Sequence, residues 1–234
     1  MEGLLRVNWV GGLGKSKFCM KDYNVKKENS DDITVKNIYC IGRNYSEHAK
    51  ELGNPKPKEP FFFQKSIPSL NTSQEIILPE DKSIDYEVEI VLLIGRSGTG
   101  KSLEDALSFI DGYAIGIDLT DRAYQNKLKN KKLPWLLSKS FFGSAVVSDF
   151  SSTPIEDNFW LNLNGKRKQQ GSFEQMTFSY AEQIYFLSNK IPLMKGDLIF
   201  TGTPKGVGSL EINDKVEIGY GNRTLKTITV NSVK

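Results

Sequence analysis

The chain has 234 residues, enough for one domain whose core needs no disulfide or metal staple. Its 31 Lys and Arg against 28 Asp and Glu leave a net charge of +3, and no basic stripe with interleaved aromatics argues for nucleic acid. No apolar run reaches the roughly 18–20 residues that span a bilayer, Cys19 and Cys40 match no metal or redox spacing, and Glu2 interrupts any signal-like start, so a reducing, cytoplasmic setting without a membrane partner is expected.

Leu4 to Val10 reads as a strand and Gly11-Gly12-Leu13-Gly14 as a turn. Val35 to Gly42 reads as a strand running into Arg43-Asn44-Tyr45-Ser46-Glu47-His48-Ala49-Lys50-Glu51. Pro55, Pro57 and Pro60 oppose helix, so residues 43–60 are expected to form a long loop with at most one helical turn. Phe61 to Lys65 and Glu75 to Leu78 are short strands. Asp85 to Ile94 alternates, with Asp85, Glu87 and Glu89 on one face and Val88, Ile90 and Leu92 on the other, as in a half-exposed strand. Ser102-Leu103-Glu104-Asp105 reads as a capping box opening a helix to about Ile110. Tyr113 to Leu119 returns as a strand, and Asp121 to Lys132 is helical, ending before Pro134. Lys127, Lys129, Lys131 and Lys132 read as a solvated face of that helix. Trp160 to Gln169 is a hairpin turning at Asn164-Gly165, and Ser179 with Glu182 caps a helix to about Asn189. Lys195-Gly196-Asp197 turns into a strand Leu198 to Thr201, and two short strands near Val216 and Leu225 follow. Many strands with few short helices give an α+β fold on curved sheet.

Three features carry possible chemistry. His48 is the single histidine, and Glu51 three residues on would share its helical face. A carboxylate bonded to one ring nitrogen makes the other a better base. Glu87 and Glu89, two apart on a strand, point the same way, and Asp118 joins them if its strand lies alongside. Three oxygen donors without sulfur favour Mg²⁺ or Mn²⁺ over zinc. The third feature is a rival. Gly95-Arg96-Ser97-Gly98-Thr99-Gly100-Lys101-Ser102 fits the phosphate-loop pattern between a strand and a helix, which would make the chain a nucleotide-binding protein. Against it, the acidic face before the loop does not suit a central parallel strand, and Ser102 has a capping role.

Five segments in order resemble the catalytic domain of the fumarylacetoacetate hydrolase family, over about residues 37 to 230. They are Ile41 to Tyr45 with His48 and Glu51, Glu87-Val88-Glu89, Gly112 to Arg122, Leu133 to Phe141, and Gly196 to Gly208. The similarity is greatest to short members acting on acylpyruvates and oxaloacetate. It implies a mixed β-sandwich roll, a homodimer, residues 37–234 as the catalytic domain, and 1–36 as an extension of unassigned role. It implies Glu87, Glu89 and Asp118 as ligands of Mg²⁺ or Mn²⁺, and His48 with Glu51 as a catalytic dyad on a lid. Lys139 would assist beside the metal. Arg43, Arg122 and Gln125, with backbone and hydroxyl donors from Thr201, Gly202 and Thr203, would bind a small 2-oxo acid. The implied reaction is acylpyruvate hydrolysis or oxaloacetate decarboxylation through an enolate held at the metal, with keto–enol tautomerisation as the alternative on the same scaffold. Proline and lysine between Gly53 and Glu59 would set substrate preference.

Overall fold

The computed structural model describes residues 23–51, 57–79 and 82–232; the side chains of residues 48–50 lie outside this set. The expected strand and turn between Leu4 and Gly14, Cys19, and Gly53 to Pro55 also lie outside it. A seven-stranded mixed sheet runs in the order β4 (Phe61–Lys65), β3 (Ile38–Gly42), β14 (Leu198–Phe200), β8 (Val88–Ile94), β9 (Ile110–Asp118), β11 (Ala145–Val147), β5 (Leu70–Asn71). A five-stranded sheet, β13 (Lys166–Gly171), β12 (Phe159–Leu163), β16 (Lys215–Tyr220), β17 (Arg223–Ser232) and β6 (Glu75–Leu78), covers one of its faces. Two small ribbons complete the sheets: β1 (Asn24–Val25) with β2 (Ile33–Thr34), and β10 (Thr120–Asp121), β7 (Ile84–Tyr86) and β15 (Gly208–Ser209). The helices are short: α1 (Ser46–Glu51), α2 (Leu103–Leu107), α3 (Arg122–Asn130), α4 (Leu136–Lys139) and α5 (Tyr180–Ser188). This is the expected α+β roll.

The half-exposed reading of residues 85–94 is corrected. Every residue of β8 is buried. Val88, Ile90, Leu92 and Ile94 pack into the core between the sheets with Leu161, Val216, Ile218 and Val230. Val91 and Leu93 face a second core with Val25, Val35, Cys40, Phe150 and Phe200. Alternation still holds, but both faces are covered, so the acids on the second face are interior groups. Burying each Leu, Ile or Val contributes about 1.5–3 kcal/mol, which makes β8 a stiff support for whatever Glu89 carries. Residues 23–36 belong to the same body. Val25 and Val35 enter the second core, and Glu28 donates its N–H to Phe150 O at 2.9 Å.

Local chemistry explains most element ends. Asn164 and Gly165 adopt φ of 52° and 74°, which a two-residue hairpin turn of matching twist requires. Ser179 and Glu182 form the expected reciprocal capping box. Ser102 caps α2 by accepting from Asp105 N at 3.1 Å, but Asp105 does not return the bond. Its carboxylate accepts from Lys101 N at 2.9 Å and from Arg96, so the box is half made; at the other end α2 stops at Leu107, short of the expected Ile110, which opens β9.

Candidate active site

β8 and β9 run antiparallel, so the start of one lies beside the end of the other. Glu87 occupies a one-residue break between β7 and β8. The Val88 N–H there is taken by the side chain of buried Gln169, Oε1 at 2.9 Å. Gln169 Nε2 in turn donates to Thr203 Oγ1 at 2.9 Å and to Pro204 O at 2.8 Å. Glu89 lies opposite Gly116 in the ladder, and Asp118, the last residue of β9, donates its N–H to Glu87 O at 2.8 Å. Carboxylate oxygens of Glu87, Glu89 and Asp118 lie within 4.8 Å of one another, all buried. Proximity on a strand brings the pair together even though the strand breaks between them.

Buried cations brace this cluster. Lys139, at the end of α4, donates from Nζ to Glu87 Oε2 at 2.7 Å, Asp118 Oδ2 at 2.6 Å and Thr120 Oγ1 at 2.6 Å. Burial alone would lower its pKa, but Asp118 and Glu87 outweigh burial and hold the ammonium above the ordinary lysine value. Lys65 Nζ sits 2.7 Å from Asp118 Oδ1 and donates to the carbonyls of Leu119 and Ser144 at 3.0 and 3.1 Å, and to that of Lys139. Arg122 binds Asp85 Oδ2 at 2.8 Å, Gln125 Oε1 at 2.7 Å and Glu87. Glu89 differs from its neighbours. Burial, then the charges of Asp118 and Glu87, push its carboxyl well above the usual range, against the Gly202 N–H and Lys139.

The donor set fits a hard divalent cation. It offers three carboxylates and no sulfur. Four acids (Asp85, Glu87, Glu89, Asp118) face three cations (Lys65, Lys139, Arg122), which leaves negative charge to balance. Asp118 Oδ1 accepts no aligned hydrogen bond despite the nearby ammonium, so its lone pairs are not taken up by a donor.

A narrow cleft of about 30 Å³ opens onto the cluster. Arg43, Arg122, Gln125, Lys139 and Thr203 line it, as do Phe63, Lys129 and Trp135. Arg43 holds φ at 61°, a left-handed conformation uncommon for a side chain of this size, and its buried Nε has no hydrogen-bond partner among the described residues. Asn44 pins this turn, donating to Thr201 O at 2.9 Å and Phe178 O at 3.1 Å. Thr201 and Gly202 have tasks other than the expected donation to substrate. The Thr201 hydroxyl donates to Ile90 O at 2.8 Å, and the Gly202 N–H donates to Glu89 Oε2 at 2.7 Å. Both groups face the sheet because the segment leaves β14 there. Gly202 has φ of 99°, and a Cβ on it would meet Asn44 Cβ at 2.7 Å. His48 and Glu51 share α1, and the Glu51 carboxylate accepts the Gly206 N–H at 3.1 and 3.3 Å.

Lys65, Thr120, Lys129 and Trp135 were not singled out by the sequence as site residues. Lys65 had a signal: a lysine ending the aromatic run Phe61-Phe62-Phe63 sits where a strand enters the interior. The solvated-face reading of the basic run needs one correction. Lys127, Lys131 and Lys132 are exposed, but Lys129 is half-buried and faces the cleft. It follows Arg122 and Gln125 at helical spacings of three and four, so all three share one face of α3.

In the phosphate-loop pattern, all three glycine N–H groups and that of the lysine are already bonded within the protein. Gly95 N donates to Phe109 O, Gly98 N to Leu193 O, Gly100 N to Ser188 Oγ and Lys101 N to Asp105 Oδ2. The strand before it is antiparallel to both neighbours, unlike the central parallel strand of a nucleotide-binding sheet.

Fold and site together define an enzyme built around an interior acidic cluster that could hold a metal ion. The chain belongs to the fumarylacetoacetate hydrolase family: the description "Fumarylacetoacetate (FAA) hydrolase C-terminal" matches residues 37–230. It is 40% identical over 193 residues to rat "Oxaloacetate tautomerase FAHD1, mitochondrial", covering 79% of this chain and 86% of that one. It is 38% identical over 194 residues to the Dictyostelium discoideum "Oxaloacetate decarboxylase, mitochondrial", covering 80% and 89%. The fumarylpyruvate hydrolase of Pseudomonas aeruginosa, solved with Mn²⁺ and pyruvate, superposes with a TM-score of 0.85 at 29% identity, over 97% of this chain and all of that one. Among the described residues no helix is long and apolar enough to cross a membrane.

Proposed function

We propose that this enzyme acts on small 2-oxo acids, oxaloacetate first among them, by divalent-metal-dependent chemistry at the carbon next to the keto group. The observation that carries this reading is the buried triad of Glu87, Glu89 and Asp118 braced by Lys139. Mg²⁺ or Mn²⁺ held by the three carboxylates would supply Lewis acidity toward the keto oxygen. The relatives named for oxaloacetate support the substrate.

In decarboxylation the C3–C4 bond breaks, its electrons form the enolate of pyruvate, and CO₂ leaves. In tautomerisation a proton leaves C3 and another is placed on the keto oxygen. Both reactions build negative charge on that oxygen. Lys139, kept cationic by Glu87 and Asp118, supplies positive charge beside it without reorganisation. Arg122 is fixed by Asp85, Glu87 and Gln125, so it shapes the wall without moving. His48 is assigned the proton transfer at C3, with Glu51, anchored to Gly206, orienting the imidazole. Phe63 and Trp135 limit water around the reacting carbon.

A second reading is favoured by the likeness to the fumarylpyruvate hydrolase. In acylpyruvate hydrolysis His48 takes a proton from water, hydroxide attacks the distal carbonyl, and the C–C bond breaks to pyruvate enolate and a carboxylic acid. C3 then regains the proton.

The test separates the products. Wild type and His48→Ala are assayed with oxaloacetate and acetylpyruvate, with Mg²⁺ or with chelator, reading CO₂, pyruvate and enol absorbance independently. Loss of roughly a hundred- to ten-thousandfold in His48→Ala is expected for the steps that need a base. Turnover unaffected by chelator would sink the metal assignment, and full activity of His48→Ala on both substrates would sink the dyad.

A further inference from the structure

The cations around the cleft fall into two sets. The inner set is neutralised. Lys65 pairs with Asp118, Lys139 with Glu87 and Asp118, and Arg122 with Asp85 and Glu87. The outer set is not. Among the described residues, neither Arg43 nor Lys129 has a carboxylate within 4.0 Å. Both line the same cleft as the carboxylate triad. Both also stand against one ring, with Arg43 Cζ 6.0 Å and Lys129 Nζ 5.0 Å from the Trp135 centroid.

Two like charges held near each other repel, and partial burial removes the water that would screen them. Burial first, then Arg122 and Arg43, depress the Lys129 ammonium to about 8. An arrangement that keeps two unpaired cations at the mouth of an anion-consuming site is disfavoured until an anion arrives. A ligand carboxylate placed between them would gain a guanidinium able to bind two oxygens and an ammonium point charge.

We propose that Arg43 and Lys129, set against Trp135, bind the second carboxylate of a dicarboxylic 2-oxo acid and thereby favour such substrates over acylpyruvates with a neutral tail. The inference rests on the 2-oxo acid reading above and deepens it. The inner cluster, which would hold the divalent cation, serves the carboxylate and keto group common to all 2-oxo acids. The outer pair serves the group that distinguishes oxaloacetate or fumarylpyruvate from acetylpyruvate. Arg43 and Lys129 are specificity residues in this scheme, touching the terminal carboxylate, which stays intact in tautomerisation and in hydrolysis and is the group lost as CO₂ when oxaloacetate is decarboxylated.

The experiment uses the full chain with Mg²⁺ and compares wild type, Lys129→Met, Lys129→Arg and Arg43→Gln. One readout is the ratio of kcat/KM for oxaloacetate to that for acetylpyruvate. The other is calorimetric binding of 2-oxoglutarate against 2-oxopentanoate, which share a chain length and differ by the terminal carboxylate. Lys129→Met and Arg43→Gln are each expected to lower both ratios by roughly ten- to a hundredfold, the usual worth of a hydrogen bond to a charged group. Lys129→Arg is expected to keep most of the preference, since it keeps the charge. Thermal melts confirm that each variant folds. Equal losses for both ligands would show that Lys129 only packs on Trp135, and unchanged ratios would show no role; either result overturns the proposal. A wild type that turns over no 2-oxo acid would defeat the function reading by itself, and the binding ratio would still decide the carboxylate site.

Discussion

Two glycine-bearing segments of this molecule invite opposite readings. Gly95 to Ser102 matches a phosphate-binding pattern residue for residue. The turns at Gly42 to Asn44 and Thr201 to Thr203 match no pattern with a general mechanism. In the folded chain, the N–H groups of Gly95, Gly98, Gly100 and Lys101 all bond within the protein, and the Asp105 carboxylate occupies the position an anion would need. Around the second pair of turns, Arg43 Nε lacks a partner among the described residues and the Gly202 N–H holds a carboxylate in place. A motif binds a ligand only through donors that the fold leaves unpaired. The difference between these segments is one of free valence.

The largest effect belongs to the acidic cluster. Glu89→Gln keeps the shape and the contact with Gly202 but removes one of three ionisable oxygen donors. Loss of roughly a thousandfold or more in kcat/KM is expected, in line with the several kcal/mol a Lewis acid contributes. Mn²⁺ affinity, read by electron paramagnetic resonance of free Mn²⁺, should fall in parallel. A variant that binds Mn²⁺ as the wild type does and keeps its turnover would move the chemistry away from this cluster.

Next comes Lys65, which does not itself line the cleft but closes the cluster from behind. Its ammonium faces Asp118 at 2.7 Å and satisfies three backbone carbonyls. Lys65→Met leaves a buried acid short of one cation, and such half-broken pairs destabilise by about 3–5 kcal/mol. If Asp118 is a metal ligand, Mn²⁺ should restore part of this, because a bound cation replaces the missing charge and stabilises by mass action. Urea unfolding with and without Mn²⁺ measures both. Equal destabilisation in the two conditions would mean that Lys65 supports the backbone alone.

Some of this site was legible in the residue order and some was not. The period of two along residues 85–94 put Glu87 and Glu89 on one face, Tyr113 to Leu119 read as a strand carrying Asp118, and the resemblance joined the three as ligands. Burial was the part that escaped. Alternation looks the same whether the second face meets water or a second core, so the strand looked half-exposed until Val91 and Leu93 were seen packed against Phe150 and Phe200. Lys139 came from the resemblance, whereas the four-residue helix that holds it is too short to leave a periodic trace. Lys129 was hidden in a basic run for a related reason. Four lysines in six residues look solvated as a group, and only the three-and-four spacing from Arg122 and Gln125 separates the one that faces inward.

The smallest effect is expected at the motif with the most familiar pattern. Ser102→Ala removes the hydroxyl that accepts the Asp105 N–H, and loss of such an N-cap costs about 0.5–2 kcal/mol of stability. Lys101 extends from a loop whose glycine N–H groups and whose own N–H are already bonded, so Lys101→Ala should leave stability and turnover of 2-oxo acids where they were. Neither substitution should reveal a nucleotide site, since α2 is only five residues long and the Asp105 carboxylate of its first turn already accepts the Lys101 N–H. Calorimetry with ATP and GTP at millimolar concentration checks this directly. Saturable binding by the wild type that disappears in Lys101→Ala would mean that the loop opens in solution and frees the donors seen bonded here. Absence of binding, together with a melting shift confined to Ser102→Ala, would leave the segment as a glycine-rich turn held closed by its own side chains.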